Sequence, residues 1–162
     1  MMKRLSIIIL IISLVVLMFT VKLNPGRIVM GFYAGECDGN CSTLYEVTEK
    51  VLRIDTTSFR EAQYGYADLK IKGQRFLEED DEGNFQSFKI DIPIIMLLEP
   101  RTRFGCPDCW DQGGCFLEFT LLGVKRQFEI EEGKEPLYFP QLTDEVSKRV
   151  KAIRNEFNKE RR

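Results

Sequence analysis

The sequence predicts an α+β domain: a mostly antiparallel sheet of hairpins carrying a C-terminal amphipathic helix and preceded by an N-terminal hydrophobic helix. Three observations carry that expectation. Short runs rich in Val, Ile, Phe and Tyr alternate apolar with polar residues and are separated by Gly, Asn and Asp turn signals. No repeating strand-helix alternation occurs, so a parallel sheet of crossover units is excluded. The last twenty residues carry a single apolar stripe of helical period. A small antiparallel β-barrel is the alternative closure of the same strands.

The chain opens with Lys3 and Arg4 and then residues 5–21, which hold fourteen apolar residues and no charge. A basic pair before an apolar run reads as an export signal or anchor, with the basic pair held inside and the domain sent out. No small-x-small cleavage site follows, so residues 5–21 are read as an uncleaved transmembrane anchor in the lipid bilayer ahead of a cleaved signal. Residues 1–23 form this segment and residues 24–162 a single extracytoplasmic domain, long enough for one ordinary core.

Asn24-Pro25-Gly26 breaks the helix, and residues 27–34 read as the first strand. Residues 43–47 and 51–55 are the arms of a hairpin, Tyr45 and Val47 alternating with Glu46, and Leu52 and Ile54 with Arg53. Residues 58–72 are read as a loop. A second hairpin is expected from residues 74–77 and 85–92, joined across five consecutive acids, 78–82, which read as a solvated turn rather than a calcium site. Asp91 followed by Pro93 suggests an N-cap and one short helical turn at 94–98; an edge strand through Pro93 is the rival. Residues 116–122 and 126–131 form the clearest hairpin, with Leu117, Phe119 and Leu121 on one face and Gly123 at the turn. Pro136 and Pro140 bracket a segment expected to dock on the sheet. In the final helix, 143–159, Leu142, Val146, Val150, Ile153 and Phe157 share one face.

Composition excludes several functions. Beyond residue 23 the chain carries 20 of its 23 basic residues against all 25 acidic ones, so nothing in its overall charge favours nucleic acid as a partner. There is no histidine, which removes Ser-His and Cys-His nucleophiles and every imidazole ligand. No carboxylate pair stands out by spacing, and no cofactor is expected.

The densest signal is residues 104–115, which hold three of the five cysteines and the only tryptophan. Cys37, Cys41, Cys106 and Cys109 are candidates for disulfides, favoured by the export signal. A bond between the two clusters closes a long loop and is worth a few kcal/mol, about 3–4, in the chain-entropy model. Their connectivity is open, and Cys115 is left unpaired as a small buried hydrophobe. The same four residues also have the ligand spacing of a zinc site, against which stand the oxidising destination and the long separation of the two pairs. A thiol-disulfide redox site at Cys106 and Cys109 is the third reading; it lacks the strand-helix context of such sites, and Asp108 disfavours a thiolate. Trp110 and Asp111 form a possible recognition loop.

The pattern Gly-Glu-Cys37-x3-Cys41 with Phe-Gly-Cys106-Pro-Asp-Cys109-x-Asp-x-Gly-Gly resembles small exported proteins of bacterial envelopes. Trp110 and Cys115 depart from that pattern. The resemblance implies an exported α+β or β-rich module with no known activity. The expectation is thus an exported, envelope-associated, non-enzymatic binding or inhibitory module, held rigid by disulfides, for a protein or small-molecule ligand.

Overall fold

An unbroken apolar run along Arg27–Tyr33 (β2) gives this strand two buried faces, and it becomes the centre of the sheet. The computed structural model describes residues 2–33, 42–55, 76–78, 85–107 and 113–159. Helix α1 (Met2–Thr20) leads into β1 (Lys22–Leu23) and then β2. There follow β3 (Ser42–Thr48), β4 (Val51–Asp55) and β5 (Phe76–Glu78). Two 3-10 turns, Phe85–Phe88 and Ile94–Leu97, flank β6 (Ile92–Pro93). The chain closes with β7 (Arg103–Phe104), β8 (Gly114–Leu121), β9 (Val124–Ile130) and helix α2 (Leu142–Lys159).

The main sheet has the order β5-β4-β3-β2-β8-β9-β7, and β1 pairs with β6 in a separate ribbon. Every pairing is antiparallel except β7 with β9. The sheet stays open, with β5 and β7 at its edges, so the architecture is α+β and the barrel alternative falls away.

One face of the sheet carries Ile28, Met30, Val47, Leu117, Phe119 and Phe128, packed with the α2 stripe Leu142, Val146, Val150 and Ile153. All are buried. The side chain of Phe157, expected to extend that stripe, lies outside the described residues. The opposite face is buried as well: Val29, Tyr33, Leu44 and Phe116 form a second apolar cluster. Beside it, Arg27 reaches Glu46 and Glu118, which flank Val29 on the neighbouring strands. Arg53 also pairs with Glu46 at 3.2 Å, and Lys125 with Glu118 at 2.9 Å.

The hairpins at 43–55 and 116–131 form as the alternation predicts. The second turns through Leu122 and Gly123, both at positive φ, 52° and 77°. That conformation matches the right-handed twist of two-residue hairpins and suits glycine at the second position.

Three expectations need correction. In the hairpin expected from residues 74–77 and 85–92, the described residues do not pair with one another: β5 joins β4, and Phe85–Phe88 is a 3-10 turn that buries Phe85 in the core. Asp91 is not a cap; its carboxylate accepts from the Asn24 amide at 3.1 Å, and Pro93 precedes the turn with no side-chain cap bond. The transmembrane anchor is also overturned: among the described residues no helix is long and apolar enough to cross a membrane. The physical reason is that α1 ends at Thr20, where its last turn is drawn into the domain. The Val21 amide bonds Leu17 O at 2.9 Å, the Ile94 amide bonds Val21 O at 3.1 Å, and β1 pairs with β6 directly after. The uncharged stretch from Leu5 to Thr20 rises only about 24 Å, against a hydrocarbon core of about 30 Å.

Candidate functional site

The last turn of α1, the β7 segment and the loop before α2 meet around an open cleft of about 610 Å³. Phe19, Phe104 and Tyr138 form its walls, and Arg101, Arg103 and Lys134 its rim. Phe19 packs edge-on against Tyr138, with ring centroids 6.2 Å apart. Pro136 and Phe139 are buried and fix the docked segment, while Leu137 between them is 97 % exposed at the cleft mouth. A lone exposed leucine is ordinary, but this one sits beside two aromatic walls.

Two of the lining residues, Arg101 and Tyr138, are held by Glu99, only 7 % exposed. Its carboxylate accepts from Arg101 Nε at 2.8 Å, from Arg101 Nη2 at 3.1 Å, from the Arg101 amide at 3.2 Å and from the Tyr138 hydroxyl at 2.8 Å. The Arg101 guanidinium does most to hold the Glu99 carboxyl down at about 2; burial opposes it, and Tyr138 and the Arg101 amide add to it. Burial, then the adjacent Glu99, push the Tyr138 phenol up. Arg101 also lies over the Phe104 ring at 4.6 Å, and Arg126 donates to the Glu99 carbonyl.

The other carboxylates are committed too. Glu129 takes Arg103 at 2.6 Å. Glu131 accepts the Cys106 amide at 2.7 Å. Burial pushes Glu135 up, but hydrogen bonds from the Thr143 hydroxyl and from two backbone amides, its own and that of Gly133, outweigh it and hold the carboxyl below its usual range. Gly105, at φ 71°, is required here, because a Cβ would meet the Glu131 carboxylate at 2.3 Å. Acids therefore lie behind and cations in front: Arg101 and Arg103 keep 62 % and 56 % of their side chains exposed. Lys134 makes no ion pair among the described residues.

The cysteine stretch begins at this cleft, since Phe104 and Gly105 line it. Of the residues singled out from sequence, Cys37, Cys41, Cys109, Trp110 and Asp111 lie outside the described residues, so neither the zinc nor the recognition-loop arrangement can be placed. Cys106 and Cys115 are the described cysteines, and no disulfide joins them. Cys106 is itself disulfide-bonded, whereas Cys115 is a free thiol inside β8 whose burial pushes its pKa up. No group of three or more metal-binding side chains gathers among the described residues.

Sequence reasoning placed the 136–140 segment on the sheet but missed Arg101, Arg103 and Lys134. The available signal was the Arg-x-Arg-Phe run ahead of Cys106. Comparison of the chain with protein-family models, with curated proteins and with solved structures finds no match.

Proposed function

We propose that this chain is an exported, non-enzymatic binding module whose ligand seat is the cleft between Phe19, Arg101–Phe104 and residues 134–138. The observation that carries the reading is the cleft itself: about 610 Å³, aromatic walls and a donor-rich rim over a fixed Glu99, within the size and lining of small-ligand sites. Its charged groups support binding rather than turnover. Glu99 is held ionised by its donors and is poorly suited to deliver a proton, the chain has no histidine, and the Cys115 thiol is buried and does not line the cleft. Export rests on the resemblance of residues 105–114 to small exported envelope proteins.

The test is amide hydrogen exchange of the full chain with a panel of small anionic, cationic and neutral amphiphiles. Protection at residues 101–105 and 134–138 by at least one class is expected, with each probe recovered unchanged. Protection by none, or chemical conversion of a probe, overturns the reading.

A further inference from the structure

Resting on that reading, we propose that the cleft takes an anionic amphiphile: its phosphate or carboxylate head on Arg101, Arg103 and Lys134, and its alkyl tail on Phe19 and the apolar stripe of α1.

The head follows from how charge is distributed. Each carboxylate near the cleft already accepts from this chain: Glu99 from Arg101 and Tyr138, Glu129 from Arg103, Glu131 from the Cys106 amide and Glu135 from Thr143. The donors project forward from these acids, and Lys134 has no carboxylate of its own among the described residues. Among the described residues that line the cleft, an incoming cation would meet three exposed cations and no uncommitted acid. An incoming oxyanion would receive a new donor from Lys134 and share the forks of the two arginines, whose planar geometry suits phosphate and carboxylate.

The tail follows from continuity. Phe19 belongs at once to the cleft wall and to α1, whose apolar side chains are exposed on every side; the line back from Phe19 runs through Val15, Ile12 and Ile8, at helical steps of four, three and four. The twelve residues from Ile8 to Phe19 span about 16 Å with no charged side chain. Leu137 stands at the mouth where head and tail would join. An apolar surface of this extent beside a polar seat marks an interaction site rather than ordinary exposure. A purely hydrophilic anion leaves Phe19, Leu137 and the stripe unused, and a neutral detergent leaves Lys134 unused.

Isothermal titration of the full chain tests this with four monomeric probes: octyl phosphate, inorganic phosphate, octyl glucoside and octylammonium. Octyl phosphate is expected to bind at least tenfold more tightly than any other. Lys134→Gln and Leu137→Asp are each expected to weaken it about tenfold, while Lys50→Gln, an exposed change in the β3–β4 turn, leaves it unchanged. Tighter binding of octylammonium or equal binding of octyl glucoside at this cleft overturns the anionic-amphiphile assignment yet leaves the binding-module reading intact. Absence of any binding overturns both. Insensitivity of octyl phosphate binding to Lys134→Gln overturns the placement of the head.

Discussion

Two clusters of charge occupy this protein, and they are built differently. On the sheet, Arg53, Glu46, Arg27, Glu118 and Lys125 alternate in sign across five adjacent strands, and the two carboxylates are nearly fully buried. Each cation there has an acid, and each acid has two cations. At the cleft the acids are equally well satisfied, but the cations face outward and Lys134 is left over. The first arrangement spends its charges on holding strands in register. The second holds Arg101 and Tyr138 in place through Glu99 while leaving donors for something else. Buried charge is thus a sign of structure on the sheet and of preorganisation at the cleft; what separates them is whether any donor remains uncommitted.

Three substitutions sharpen that contrast. Arg27→Ala strips both central carboxylates of a shared partner. A cost of about 2–3 kcal/mol in urea unfolding is expected, below the 3–5 kcal/mol typical of fully buried pairs because a third of the Arg27 side chain is exposed. Octyl phosphate binding should be unchanged, and a loss under about 0.5 kcal/mol would place the lattice among ordinary surface ion pairs.

Glu99→Gln comes next, with about 1–2 kcal/mol lost at neutral pH as charge-assisted bonds become neutral ones. Its signature is the pH dependence. The Glu99 carboxyl lies at about 2 in the folded chain, against an ordinary 4.5. Its contribution is therefore complete above 4.5 and is lost as pH falls from 4.5 through 2. Unfolding measured across that window should show a shallower slope for the Gln variant; an identical slope would contradict the role given to Glu99. The smallest effect is that of Lys134→Gln on stability, under about 0.5 kcal/mol by thermal denaturation, since nothing described depends on its charge.

Much of the fold was legible because alternation is a strong local signal. The strands β2, β3, β4, β8 and β9 and the helix α2 followed from it. Alternation sets Glu46 opposite Tyr45 and Val47 and puts Leu117, Phe119 and Leu121 on one face of β8, but it says nothing of how deeply the other face is buried. Val29, Leu44 and Phe116, apolar residues on the same side, were the available hint that it is buried. Residues 85–88 misled because Phe85 and Phe88, three apart, fit a strand edge or a 3-10 turn equally well. The cleft was illegible for a different reason. It depends on the parallel pairing of β7 with β9 and on the insertion of Phe19 beside Tyr138, contacts between residues 26 to 119 positions apart that no local pattern specifies.

The most direct measurement of the central claim is a two-dimensional amide NMR titration of the full chain with octyl phosphate, with the two charge clusters read in the same spectra. Shifts are expected at Arg101, Arg103, Gly105, Lys134 and Leu137, with Glu46, Arg53 and Glu118 unmoved. Shifts concentrated on the sheet lattice, or none at the cleft at saturating probe, would contradict it.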